Sequence, residues 1–496
     1  MTLRTTKRLW TAALAVGTLG ALSACAGGAG AGSSTPTPED GAASGSVTMW
    51  TYPVIADEAA HKAFWDEQVA AFQEENPDVD VKVEIYPWAG RDETLATAIA
   101  GNKGPDVVYL IPDQIPKYGK SLAAVDNYVT DQVGDLRENA SKAVTVDGAM
   151  LGSPLIMNSK PLVCNAAAFE AVGEAGNYPE TWDDLMALAP TFQAAGYDVT
   201  NYWGSVDATL NESFYPLLWQ AGGSVFSEDG SSVAFDSPEG VEALQFAVDL
   251  AEGGYIEKDL LTTIPAFEQT NTAKGKIACT WQQGPADVAG FWGEENVVVL
   301  PPLKEAEAVA FGTVGSLSVL KTADSLDAAG KWAAFATSPE VSAEYAQAAG
   351  WFSPYESESG LYADDPVLSA LEETLQYTTA GEVNEKSREV MGVLAPELQA
   401  ALIGEKTPEQ ALKDAAAAAS PLLGWPTPRG GQPSPCCPRR GTSRYERRTH
   451  DRDRPHLGRA DRRRARPAPD AVEALARPDP PRPGAPCGEA RPGGRP

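Results

Sequence analysis

Ten of the chain's twelve tryptophans fall between Trp50 and Trp351, interleaved with Asp, Asn, Gln and Glu. Flat apolar rings beside planar hydrogen-bonding groups suit the recognition of a sugar. A pyranose shows a face of C–H bonds that stacks on Trp or Tyr. Its hydroxyls want directed hydrogen bonds from Asp, Asn, Gln, Glu and Arg. Signals for covalent chemistry are sparse. His61 is the only histidine before residue 450, and no G-x-S-x-G, H-E-x-x-H or P-loop pattern is present. Asp113 and Glu212 could face each other across a cleft, but glycoside hydrolysis needs two carboxylates about 5–9.5 Å apart, a geometry that sequence does not give. No Cys/His spacing suggests a metal site, and neither a cofactor nor enzymatic activity is expected.

These side chains must be carried by an ordered frame, and the chain from Ser46 supplies one. Val47 to Trp50 is a short strand run, and His61 to Glu75 has helical spacing that ends at Asn76-Pro77. Val79, Val81, Val83 and Ile85 alternate with Asp80, Lys82 and Glu84, a strand of period two. A second helical stretch, Asp92 to Gly101, leads to the apolar strand Asp106 to Leu110. Strand, helix, strand, helix, strand argues an α/β fold with a parallel sheet covered by helices. In such sheets ligands bind beyond the carboxyl ends of the strands. That rule selects Trp50 and Tyr52 after the first strand, Trp88 after the second and Asp113 after the third.

The order Val-Thr-Met-Trp, helix, Asn-Pro-Asp-Val-Asp-Val-Lys-Val, helix, Gly-Pro-Asp-Val-Val resembles the first lobe of solute-binding proteins of ABC importers, of the maltose-binding-protein type. The likeness continues through Gly152-Ser153-Pro154, Pro179-Glu180-Thr181-Trp182, Lys274-Gly275-Lys276-Ile277-Ala278 and Thr407-Pro408-Glu409-Gln410-Ala411-Leu412. Thr181 or Asp183 can cap the helix that starts at Trp182. The resemblance implies a two-lobed periplasmic-binding-protein-like fold, with a hinge and a ligand cleft between the lobes. Lobe 1 is expected at 46–155 plus 315–345, and lobe 2 at 156–312 plus 348–424. Pro301-Pro302, Gly312 to Ser316 and Ala348 to Gly350 read as connectors between them. By the same resemblance Asp113 stands at a sugar-gripping carboxylate position, and Asn158, Glu212, Trp281, Trp351 and Arg388 join it as ligand contacts. Met391 falls where relatives place a stacking tryptophan. Gln114 replaces a family arginine and Leu110 an aromatic, which argues against maltose itself.

Arg4, Lys7 and Arg8, the apolar run Leu9 to Leu22 and the small residues Ser23-Ala24 form a secretory signal segment over residues 1–24. Leu22-Ser23-Ala24-Cys25 resembles a bacterial lipobox, which implies lipidation of Cys25 and a place on the outer face of the cell membrane. Residues 25–45 read as a flexible tether of Gly, Ala, Ser, Thr and Pro. From Arg429 on there are 17 Arg, no Lys and 8 acids, which leaves a net charge of −38 on the first 428 residues. So acidic a body repels nucleic acid. The tail over 426–496 is either a disordered basic arm or an out-of-frame translation of GC-rich DNA, and its Arg, Pro, Ala and Gly bias favours the second. Cys164 and Cys279, the two cysteines of the body, allow a disulfide or two separate buried thiols. The function expected is a monomeric receptor that hands a carbohydrate, a di- or oligosaccharide, to ABC permease subunits. A charged solute such as a polyamine is the alternative, and a secreted glycosidase a remote one.

Overall fold

The computed structural model describes residues 36–39, 41–382 and 384–424. Cys25, the signal segment and the basic tail lie outside the described residues.

The first strand runs Ser44–Thr51 and pairs in parallel with Asp78–Ile85 on one side and Val107–Leu110 on the other. Its side chains alternate. Val47 and Met49 enter one core, while Trp50 enters a smaller one on the opposite face with Leu95 and Val108. The strand Val107–Leu110 is buried throughout because helices or loops cover both faces. The helix Glu58–Glu75 starts where the Asp57 carboxylate accepts the Ala60 N–H at 2.7 Å, three residues before the expected start. Val314–Leu320 returns to this sheet antiparallel, between Val107–Leu110 and the strands Leu122–Ala123 and Ser153–Met157.

The second lobe is built on an antiparallel sheet in the order Val297–Leu300, Leu162–Asn165, Cys279–Thr280. Cys164 and Cys279 are directly opposed across this ladder and joined by a disulfide. Helices pack around it. Thr181 caps Trp182–Ala194 in a capping box with Asp184, and Trp182 stacks on Phe246 at 4.3 Å while its Nε1–H donates to Gln220 at 2.7 Å.

Three neighbouring segments carry the chain between the lobes. Asn158 donates its N–H to the Thr313 carbonyl at 3.1 Å, and its Oδ1 accepts the Thr313 N–H at 3.0 Å. Gly312 donates to the Thr379 carbonyl at 2.9 Å, and Ala310–Phe311 pairs in parallel with Thr378–Thr379. A Cβ on Gly312 would lie 2.6 Å from both the Asn158 carbonyl oxygen and the Thr378 Cβ, so the crossing strands approach closely only because that residue is glycine.

Two expected boundaries move. Residues 348–424 were assigned together to the second lobe, yet Phe352, Tyr355, Leu371 and Leu375 are buried in the first lobe's core. The reason is local: Gly350 ends the helix Pro339–Ala349 in a left-handed cap, and Phe352 then pairs back onto Met157. The third crossing is therefore at Thr378–Thr379 and not at Ala348–Gly350. The tether also ends earlier than residue 45. The Pro36 carbonyl accepts from Asn127, the Glu39 and Gly41 carbonyls accept from Lys331, and Ala43 is buried.

Two predictions follow from buried groups. His61 lies in the first core with Nδ1 accepting the Ile55 N–H at 3.3 Å, and its ring meets Trp65 and Tyr345 edge-on. Burial lowers its pKa from 6.5 to about 4. The unfolded chain thus binds a proton that the folded one refuses, and stability present above pH 6.5 is lost as pH falls toward 4. The loss is on the order of 3 kcal/mol. His61→Gln, which keeps an acceptor for Ile55, is expected to flatten this part of the melting-temperature profile between pH 7.5 and 4.5. An unchanged profile would refute the assignment. Separately, the disulfide closes a loop across a sequence separation of 115. Replacing both cysteines by alanine should cost about 2–5 kcal/mol, read as a lower urea midpoint for the transition of the second lobe.

Candidate functional site

Beyond the carboxyl ends of the parallel strands lies an aromatic ledge. Tyr52, buried, stacks on Trp88 at 5.1 Å with 25° between the rings, and Tyr109 meets both edge-on. The Arg91 guanidinium lies 5.0 Å from the centre of the Trp88 ring and 5.9 Å from that of Tyr52. Trp88 is fixed by its Nε1–H on the Pro53 carbonyl at 3.1 Å but remains 41% exposed. Burial pushes the Tyr52 hydroxyl up to about 12, so it is a neutral donor at any physiological pH.

The third strand end leads to Asp113, and here the lobes meet. Arg388, on the second-lobe helix Ser387–Leu402, places Nε 2.5 Å from the Asp113 carboxylate and NH1 2.8 Å from that of Asp92. Asp92 sits in the first turn of Arg91–Ala100 and accepts from Gln114 at 2.5 Å, whose own Oε1 takes the Ile111 N–H. Burial opposes the charge on Arg388, but the hydrogen bond to Asp113 and the attraction of both carboxylates outweigh it and raise its pKa. One guanidinium therefore spans two acids of the facing lobe.

This pair borders a cavity of about 500 Å³. The first lobe contributes Ile111, Pro112 and Asp113. The second contributes Asn211, Tyr215, Trp219, Phe226, Arg388 and Met391, with Gly381 and Glu382 from just beyond the third crossing. Tyr215 and Trp219 lie one turn apart on the helix Phe214–Gln220, so both rings project from the same face. Gly381, at φ 81°, follows closely: a Cβ there would stand 2.8 Å from the Trp219 ring. Glu382 accepts the Val225 N–H at 2.8 Å, and burial raises its pKa above the ordinary carboxylate range. The Tyr215 hydroxyl is buried and has no hydrogen-bond partner among the described residues. Rings, carboxylates, an amide and a guanidinium thus line one partly open cavity.

The residues singled out by sequence are dispersed. Asp113 and Arg388 line the cavity and hold each other. Tyr52 and Trp88 form the ledge. Trp50 does not reach a cleft, because period two turns its ring into the small core against Tyr86 at 4.4 Å. Trp281 is buried in the second lobe's core, and Trp351 packs half-buried against the first lobe's. Asn158 spends its side chain on Thr313 in the crossing segments. Glu212 is half-buried beside Asn211 but is not part of the cavity wall. Tyr215, Trp219, Glu382 and Asp92 were missed. The i, i+4 spacing of the first two was the one signal in the sequence.

The family described as "Bacterial extracellular solute-binding protein" matches residues 56–343. The chain belongs to this family. Among relatives of this solute-binding protein, a binding protein of Brucella abortus is 23% identical over 378 residues, 73% of this chain and 90% of the relative. The diacetylchitobiose binding protein DasA of Streptomyces coelicolor is 26% identical over 148 residues, 29% of this chain and 33% of DasA. The crystal structure of the cyclic α-maltosyl-1,6-maltose binding protein of Arthrobacter globiformis superposes with a TM-score of 0.67 at 21% identity, covering 77% of this chain and 99% of that one. These identities establish a shared two-lobed fold.

For this solute-binding protein the Arg388 bridge yields a direct test. Arg388→Met removes both ion pairs and leaves Asp92 and Asp113 facing an apolar side chain. For a half-exposed, multiply bonded pair the expected loss is roughly 1–2 kcal/mol of lobe–lobe attraction. Small-angle scattering of the ligand-free variant should give a larger radius of gyration than the parent. Equal radii would mean that the bridge does not hold the lobes together.

Proposed function

We propose that this solute-binding protein is a receptor tethered outside the cell through a lipidated Cys25, which captures a carbohydrate between its lobes and delivers it to the permease of an ABC importer. The observation that carries the reading is the cavity wall that Tyr215 and Trp219 share with Asp113 and Arg388. Such rings stack on the C–H face of a sugar, while the carboxylate and guanidinium bind its hydroxyls in pairs. Relatives described as binding diacetylchitobiose and cyclic maltosyl-maltose support a saccharide of two or more rings. Closure is hinge bending at Asn158, Gly312 and Thr378–Thr379. The ligand favours the closed form by contacts it makes only there. No covalent step is needed, so the protein acts as a carrier and not as an enzyme.

One observation favours a second reading. Asp113, Asp207 and Glu382 line the cavity with Arg388 as its single cation, a balance that suits a cationic solute such as a polyamine.

Intrinsic tryptophan fluorescence separates the readings. A saturable change with a di- or oligosaccharide, weakened at least tenfold in Trp219→Ala, is the expected result. Tenfold corresponds to a loss of about 1.4 kcal/mol, within the range of one aromatic stacking contact. A response to spermidine and to no sugar would replace the carbohydrate with a polyamine. Consumption of the sugar during the titration would refute the carrier role.

A further inference from the structure

The Glu382 corner of the cavity has a chemistry that a neutral sugar does not complete. Glu382 follows the last crossing segment and is half-buried in the wall beside Tyr215 and Trp219. One carboxylate oxygen, Oε1, accepts the Val225 N–H at 2.8 Å. Among the described residues no Lys or Arg forms an ion pair with it. The one guanidinium in the lining, Arg388, is held by Asp113 and Asp92 of the other lobe. A carboxylate removed from water without a counter-charge is held at a cost, which its raised pKa reflects. Next to it, the Tyr215 hydroxyl is buried with no partner among the described residues, and the charge of Glu382 adds to the effect of burial in discouraging its ionisation. The site therefore presents a half-buried anion without a counter-charge among the described residues, a buried phenol and two aromatic side chains.

We infer that Glu382 is a specificity-determining residue that selects a sugar carrying a protonated amino group over one carrying a hydroxyl or an acetamido group at the same position. The inference rests on the reading of the cavity as a saccharide site. An ammonium supplies what the corner lacks: a positive charge for Glu382 and a cation beside the rings of Tyr215 and Trp219. A hydroxyl supplies a hydrogen bond but no charge. An acetamido group adds bulk and no charge, and leaves the carboxylate uncompensated.

Gly381 makes the corner specific in geometry as well as in charge. Its left-handed conformation and the absence of a Cβ let the backbone lie against the Trp219 indole, 2.8 Å from where a Cβ would be. That contact delivers the Glu382 carboxylate to the edge of the same ring. The acidic excess of the lining, Asp113, Asp207 and Glu382 against Arg388, points the same way.

Three disaccharides of one linkage test this: the β-1,4 dimer of glucosamine, its di-N-acetylated form and cellobiose. Each is titrated into the full chain and into the Glu382→Gln variant, followed by tryptophan fluorescence and calorimetry. The parent protein is expected to bind the glucosamine dimer at least tenfold more tightly than either neutral dimer. In Glu382→Gln, which retains an acceptor for Val225, the ratio should fall toward one. Should that variant not fold, the ratio measured on the parent still decides the preference. Tighter binding of a neutral dimer by the parent, or a ratio unaltered in a folded variant, overturns the inference and leaves the saccharide reading standing. Binding of spermidine with none of the three dimers, or no binding to any of them, overturns the inference, and the wider sugar titration then decides the saccharide reading.

Discussion

The cleft depends on a single charge shared across it. Arg388 reaches from a second-lobe helix to Asp92 and Asp113, which lie in different segments of the first lobe. Gln114 braces Asp92 from behind, so the acceptor side is held rigid before the guanidinium arrives. A guanidinium has the planar fork this task needs; a lysine would satisfy one acid at a time. Because the pair is half-exposed, its energy is small enough to be broken and remade as the lobes move. A buried pair of the same composition would be costly to separate and would resist opening.

That balance is only useful if motion is confined elsewhere, and the crossing segments provide the confinement. Backbone hydrogen bonds knit Asn158, Thr313, Gly312 and Thr379 into neighbouring extended strands. Rotation at such strands swings the lobes without unpacking either core. The two cores are otherwise separate sets of side chains. The last crossing leads straight into Gly381 and Glu382, so the cavity wall on that side is continuous with the moving joint.

How much of this was legible from sequence follows physical lines. The parallel strands and their helices were readable because period two and period 3.6 are local properties. The Thr181 cap was readable because its partner Asp184 is three residues away. Trp50 shows the limit of the strand-end rule: the rule finds the correct end of the sheet but not the face, and the alternation of Val47, Met49 and Trp50 turns the indole inward. Asn158 and Arg388 were singled out as ligand contacts, whereas their present partners are Thr313 and the pair Asp92 and Asp113. Those pairings join residues 155 or more positions apart, and no local pattern encodes them. Trp219 sits on a helix among apolar residues, a setting that reads locally as packing. It is packed, and it also lines the cavity, because a large ring can do both at once.

The disulfide carries a consequence for where this protein can mature. Cys279–Thr280 is a strand of two residues, and its neighbour across the ladder is bonded to it through sulfur. So short a strand gains little from its own hydrogen bonds. The covalent link adds to the backbone hydrogen bonds that Cys279 and Ala278 donate to Val199 and Asp198, and it forms only where thiols are oxidised. The compartment is thus part of the folding instruction. A copy kept among reducing thiols has a loosely fastened second lobe and is easier to unfold. Oxidation then locks the lobe, so the bond that stabilises the finished protein also records the redox conditions in which it folded.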